Sequence, residues 1–162
     1  MEITLNAVEQ RLTRFLAKER HASNRKAGVT NAKVGPQSDE DTDLEGIAAE
    51  IAYCKAMNVY PDLSLDARPT QDAFSTEHGG VDIKATKYKN GNLIARRCKS
   101  GYPPDSYALM IGEFPSYRFV GWIPAQDLLQ SQNITDLGYG ETYAMVQPDL
   151  FPARRKCLDP RH

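Results

Sequence analysis

The feature that most constrains the fold is the segment GGVDIKATK at residues 79–87, where a glycine turn signal leads directly into a β-type segment. Side chains alternate between the two faces of a strand, so Asp82 and Lys84 are predicted to share one face. The opposite face is predicted to lie against the core, and its residues are Val81, Ile83 and Ala85. A strand that places a carboxylate beside an ammonium indicates either a salt-bridged solvent face or an active site.

The residues before this strand predict a β-hairpin. A loop at residues 75–79 pairs positions 74 and 80, and it therefore places Asp72 opposite Asp82, with Cβ atoms about 5 Å apart. Two opposed carboxylates repel each other, and the neighbouring lysine offsets only part of that charge. A divalent cation between the two acids would offset more, since Mg²⁺ prefers oxygen ligands.

Two helices are predicted before the hairpin. Apolar residues recur at helical spacing over about residues 5–20, and the polar residues 21–38 predict a loop. The apolar stripe of this first helix consists of Leu5, Val8, Leu12, Phe15 and Leu16. Acids at 39–43 favour a helix start, and a second helix is predicted over about residues 43–58. Glu50 lies at the edge of its apolar stripe, where it can reach toward the sheet.

The rest of the chain predicts mainly strands. The other predicted elements are a short strand at residues 63–65, strands at about residues 93–95, 106–111, 117–123 and 143–146, and a helix over residues 124–129. This order of helices, a strand cluster and a helix predicts one α/β or α+β domain around a central sheet. The 162 residues are enough for one domain with a core.

Composition excludes several classes of protein. No apolar run approaches the roughly 20 residues that span a bilayer, so no membrane partner is predicted. The three cysteines (Cys54, Cys98 and Cys157) lie far apart without a CxxC pair. This spacing favours a reducing compartment, the cytoplasm, and argues against a zinc module.

Charge is distributed unevenly along the chain. The net charge of −1 gives no indication of a nucleic-acid partner. Residues 11–33 and 84–99 are nevertheless strongly basic, whereas residues 39–50 are acidic. These runs indicate either solvated faces or a basic surface around an acidic pocket.

The acids and the lysine carry a resemblance to a known family. Asp72, then nine residues, then Asp82-Ile83-Lys84 resembles the signature of the PD-(D/E)xK nuclease superfamily, which is an acid, a hairpin and (D/E)-x-K on the next strand. Residues 46–52, GIAAEIA, are similar to its glutamate-bearing first core helix. The resemblance covers about residues 43–130, and the flanking text is similar to small phage-type members.

This resemblance implies a fold and a reaction. The fold is α/β, with a restriction-endonuclease-like core in which helices flank a central mixed β-sheet. A single domain would span residues 1–162, with a C-terminal extension at 131–162. The reaction is Mg²⁺-dependent hydrolysis of DNA phosphodiester bonds, favoured here as an endonuclease, with Mn²⁺ as a substitute. The resemblance makes Asp72, Asp82 and the Ile83 carbonyl metal ligands, with Lys84 serving the attacking water and Glu50 supporting the metal.

The sequence departs from the family pattern in two places. Asp82 stands where Glu is more frequent, which the pattern permits. The Pro-Asp of the family name occurs here only as Pro61-Asp62, twenty residues before Asp82. Asp62 is therefore an alternative first acid, and Asp72 is preferred because the hairpin brings it opposite Asp82.

The basic run that follows the proposed site predicts contacts with DNA phosphates. The predicted DNA-binding residues are Lys87, Lys89, Arg96, Arg97 and Lys99. An alternative function is a non-catalytic nucleic-acid-binding or assembly module that keeps the fold. The setting would be the cytoplasm, that of the host if the chain is phage-encoded. The oligomeric state stays open, a homo-oligomer included.

Overall fold

A mixed sheet with helices packed on both faces forms the centre of the computed structural model, which describes residues 1–28, 38–65, 72–75, 77–97, 102–138 and 140–153. The helices are α1 (Ala7–Lys26), α2 (Asp39–Met57) and α3 (Ala125–Leu128). The strands are β1 (Glu2–Thr4), β2 (Ala73–Ser75), β3 (Gly79–Thr86), β4 (Leu93–Arg96), β5 (Ser106–Glu113), β6 (Ser116–Pro124), β7 (Ile134–Asp136), β8 (Glu141–Met145) and β9 (Phe151–Pro152).

The strands form two sheets. The larger one has the order β1-β6-β5-β3-β2, with β9 paired to β6. Its β3 and β5 are parallel, and its other pairs are antiparallel. The smaller, antiparallel sheet has the order β4-β8-β7. The chain is thus a mixed α/β domain, as predicted at that level, whereas a restriction-endonuclease-like core stays a prediction.

Both faces of the larger sheet are covered. On one face, Ile83 and Met110 pack with Ile47 and other residues of α2. On the opposite face, Leu109 packs with Leu93 of β4 and with residues of α3. Strand β5 is buried over most of its length, and its alternate residues enter both clusters. The strand therefore holds the two layers together.

The N-terminal helices differ from prediction at their ends. Asn6 and Glu9 form a capping box that starts α1, and the helix continues to Lys26. Residues 21–26 are therefore helical rather than part of the predicted loop, and residues 29–37 lie outside the described part. Two members of the predicted apolar stripe, Val8 and Phe15, are exposed. The prediction was wrong at these two residues because the buried face of α1 is centred on Leu16, Ala17 and Arg20.

Strand predictions were confirmed for the long segments and wrong for some short ones. Residues 63–65 form no strand, and the helix predicted over residues 124–129 is a single turn. The short strands β1, β7 and β9 were not predicted, because segments this short carry no measurable periodicity. No described helix is both long and apolar enough to cross a membrane.

Candidate active site

The β2–β3 hairpin has the register that the sequence predicted. Phe74 pairs with Gly80, and the Asp72 N–H donates a hydrogen bond to the Val81 carbonyl over 2.8 Å. The paired residues end at Ala73 and Val81, and Asp72 lies just before β2, so its position directly opposite Asp82 stays a prediction. The two acids do interact, because the negative charge of Asp82 contributes to the raised pKa of Asp72.

The turn of this hairpin is anchored in the core. Gly79 has a φ of 68°, and a Cβ there would lie 2.5 Å from a carboxylate oxygen of Asp105, so only glycine fits. The same carboxylate accepts the Gly80 N–H over 2.7 Å. The buried His78 ring forms a hydrogen bond of 2.6 Å between its Nδ1 and the Tyr53 hydroxyl. These contacts fix the strand that carries the acid and the lysine.

The surroundings of Asp72 raise the pKa of its carboxyl group strongly. Burial, followed by the negative charges of Glu50 and Asp82, raises the pKa of Asp72 to about 8. A hydrogen bond of 2.8 Å from the Ile83 N–H to Oδ2, and the charge of Lys84, act in the opposite direction. The structure thus brings Glu50, Asp72, Asp82 and Lys84 into one electrostatic environment.

Asp82 and Lys84 form an ion pair on one face of β3. Lys84 Nζ lies 2.6 Å from Asp82 Oδ1, and both side chains are partly exposed. Val81 and Ile83 are buried on the opposite face, as predicted. Ala85 was predicted to join them, but it is exposed. That prediction was wrong because the alternation of side chains predicts only the face of the strand on which a residue lies. The end of β3, which carries Ala85, extends beyond the part of that face that the core covers.

Glu50 is held by a residue that sequence reasoning missed. Arg20 of α1 is buried, and its Nη1 lies 3.1 Å from Glu50 Oε2. Its Nε donates to the Ser64 carbonyl over 2.9 Å, and its Nη2 donates to the Asp62 carbonyl over 2.7 Å. A signal was present in the sequence, because Arg20 follows Leu16 by four positions on the buried stripe of α1. An arginine on such a stripe predicts a buried acidic partner.

Asp62, the alternative first acid, belongs to the same neighbourhood. Its carboxylate accepts hydrogen bonds of 2.9 and 3.0 Å from the N–H and hydroxyl of Ser64. Burial, and then the charges of Glu50, Asp72 and Asp62, raise the pKa of the Cys54 thiol to about 12. Asp62 therefore adds negative charge near the site, while Asp72, which the charge of Asp82 acts on, stays the predicted first acid.

Asp72 and Asp82 are the two carboxylates that the sequence predicts to hold a hard cation. Within the part of the chain that the structure describes, no group of three or more His, Cys, Asp or Glu residues is arranged to hold a metal ion. Mg²⁺ is commonly bound by one or two carboxylates together with waters and substrate phosphates. The pKa of Asp72 is raised first by burial and then by the charges of Glu50 and Asp82, and a cation would offset that negative charge. Ile83 contributes its N–H to Asp72, and its carbonyl as a ligand stays a prediction.

A large groove begins at the lysine of the site. It has a volume of about 820 Å³ and lies between the end of β3 and the smaller sheet. Its cationic lining residues are Lys84, Lys87, Arg96 and Arg97. Lys89 is not among its lining residues, and Lys99 lies outside the described part. Among the described residues, an equal number of acids line the groove, namely Asp41, Glu45, Glu113 and Glu141, and Glu141 forms an ion pair with Arg97. Three of the predicted DNA-binding residues thus share one surface with Lys84.

Comparison with known proteins found no relative: no protein-family model, curated protein or solved structure matches the chain. Membership of the PD-(D/E)xK superfamily therefore stays a prediction from the sequence. The geometry and charge of the site itself are the basis for its proposed function.

Asp72→Asn is expected to stabilise the protein at pH 8 in EDTA by on the order of a few kcal/mol. An unfolded aspartate titrates near pH 4, whereas in the fold the pKa of Asp72 is raised to about 8. Between these values the folded state binds the extra proton, so the wild-type free energy of unfolding falls as pH rises. The variant lacks this loss and keeps an acceptor for the Ile83 N–H.

Thermal midpoints measured from pH 5 to pH 9 test this expectation. Asp127→Asn, at an exposed position on α3, is the matched control, and its midpoint should follow the wild type. Equal pH dependence for Asp72→Asn and the wild type would contradict the assignment.

Proposed function

We propose that this protein is a metal-dependent nuclease that hydrolyses phosphodiester bonds of DNA, of the PD-(D/E)xK type. One observation carries the proposal: Asp72 lies in the electrostatic field of Asp82, and Lys84 lies 2.6 Å from Asp82 at the start of a groove that further lysine and arginine residues line. A salt-bridged surface strand has no need of a buried second acid whose pKa is raised. The proposed setting is the cytoplasm.

Each residue of the site then has a distinct part. Asp72 and Asp82 would hold Mg²⁺, which when bound neutralises charge on the phosphoryl group and lowers the pKa of a water. The Ile83 N–H fixes the Asp72 carboxylate. Lys84 orients the attacking water or stabilises the negative charge that develops on the phosphoryl oxygens. Glu50, held by Arg20, supports the metal by maintaining negative potential behind Asp72.

The groove supplies the contacts that position the substrate. Lys87, Arg96 and Arg97 line it together with Lys84, so a backbone bound to them would reach Lys84, which contacts Asp82 at 2.6 Å. Contacts of basic side chains with phosphates fix the position and orientation of a nucleic acid without reading its sequence. The proposal therefore includes an endonuclease whose DNA contacts are mainly electrostatic.

A non-catalytic nucleic-acid-binding or assembly module is the second candidate. It is favoured by the ion pairs Lys84–Asp82 and Arg20–Glu50, since each charge already has a partner. The lack of a three-residue metal group among the described residues also favours it. Such a module would keep the lysine and arginine residues of the groove and would not depend on a cation.

Incubation of supercoiled plasmid and linear DNA with the protein in Mg²⁺, Mn²⁺ or EDTA separates the candidates. The nuclease is expected to nick or linearise the closed circle with either ion and to leave it intact in EDTA. Asp82→Asn should be inactive, and the surface control Asp127→Asn should be fully active. Wild-type protein that binds DNA and leaves it intact in both metal ions would support the module instead.

A further inference from the structure

A second cavity lies next to Asp72, and it shares no described lining residue with the groove at Lys84. It has a volume of about 480 Å³, and its lining includes Tyr60, Asp62, Asp72 and Phe74. The described residues that line it include no lysine or arginine. A phosphate is therefore disfavoured in this cavity by its two carboxylates, whereas a flat neutral group is not.

Two aromatic rings are exposed at this cavity. Tyr60 is 80% exposed and Phe74 is 62% exposed, although burial of large aromatic side chains is normally favourable. The exposure of Phe74 follows from the hairpin, because its cross-strand partner is Gly80, which has no side chain to cover the ring. Two exposed rings at one cavity form a surface suited to stacking.

The site lies between two different surfaces. Lys84 lines the groove together with other lysine and arginine residues, whereas Asp72 lines the aromatic cavity. The two surfaces are close, because the Asp72 carboxylate accepts a hydrogen bond of 2.8 Å from the N–H of Ile83, the residue before Lys84. A strand whose phosphates lie along the groove and reach Lys84 would therefore bring a neighbouring base toward the aromatic cavity.

We infer that this cavity receives one unpaired nucleobase, stacked on Tyr60 and Phe74, and that the protein prefers single-stranded or frayed DNA to an intact duplex. The inference rests on the proposed function, which supplies DNA as the ligand. Every base has a π-face, so stacking of this kind tolerates any sequence. A base in a duplex must first leave its stack and its pair, which costs free energy.

Binding of a short single-stranded oligonucleotide with one fluorescent base analogue tests the inference in EDTA, where no cleavage takes place. The double variant Tyr60→Ala with Phe74→Ala is expected to bind the single strand about 5- to 100-fold more weakly than the wild type. Its affinity for a blunt duplex should be unchanged. Tyr102→Ala, at an aromatic side chain that is 90% exposed and lines neither cavity, is the control.

The outcomes separate this inference from the proposed function. Single-strand affinity equal to that of the wild type in a double variant with an unchanged thermal midpoint would overturn the stacking inference, whether or not the protein cleaves DNA. A weakened single-strand affinity in a protein that never cleaves DNA would support stacking and contradict the nuclease. Tyr60→Phe with Phe74→Tyr keeps both rings, and it should restore wild-type affinity.

Discussion

Lys84→Ala is expected to lower the rate of Mg²⁺-dependent DNA cleavage by about 10²–10³-fold, the loss that follows removal of one preorganised electrostatic donor. DNA affinity should change little, because the charge of Lys84 matters most where negative charge develops in the transition state. The lysine is partly exposed and contacts Asp82 at 2.6 Å, so its loss should not unfold the protein. Single-turnover cleavage, binding and the thermal midpoint should be measured on the same sample.

Lys55→Ala is the matched control for this variant. Lys55 has a similar exposure and a similar ion pair, with Glu9 at 2.8 Å, but it lies on α2 away from the acids. Its replacement should leave cleavage unchanged. If Lys84→Ala cleaves DNA at the wild-type rate with a lowered midpoint, the lysine only screens Asp72 from Asp82, and the surface ion pair is the correct interpretation.

Arg20→Met is expected to lower the free energy of unfolding by about 3–5 kcal/mol, because it leaves Glu50 buried without its cationic partner. The guanidinium also holds the Ser64 and Asp62 carbonyls, so both would lose a donor. Methionine keeps the apolar volume on the buried stripe of α1. Chemical denaturation at neutral pH measures the change.

Two further variants isolate the cause of this loss. Adding Glu50→Gln to Arg20→Met should recover part of the stability, since the double variant has no unpaired buried charge. Arg118→Met removes a partly exposed arginine whose nearest acid, Glu2, is 3.9 Å away, and it should cost no more than about 1 kcal/mol. A loss of that small size for Arg20→Met would show that the pair contributes little to the fold.

Local sequence was enough to predict the hairpin that carries the candidate site. Two glycines and the alternation of residues 79–87 set the register, and Phe74 does pair with Gly80. The same alternation placed Asp82 beside Lys84 on one face. These features are encoded within about a dozen residues, since turn chemistry and strand periodicity act only between near neighbours.

Periodicity gave less information where an element ends or where its face is mixed. The buried stripe of α1 includes Arg20, so an apolar pattern alone selected Val8 and Phe15 instead. Ala85 followed the alternation of β3 but lies past the edge of the core. In both cases the burial of a residue depended on what other elements cover it.

Contacts between distant segments were decided by packing alone. Strand β4 pairs with β8 rather than with β3, and this second sheet forms one side of the groove beside Lys84. Arg20 of α1 pairs with Glu50 of α2. The two residues lie far apart in the sequence, so no local pattern predicts this contact. Such contacts form because complementary surfaces meet once each element has folded, and the periodicity of one segment carries no information about the surface that will cover it.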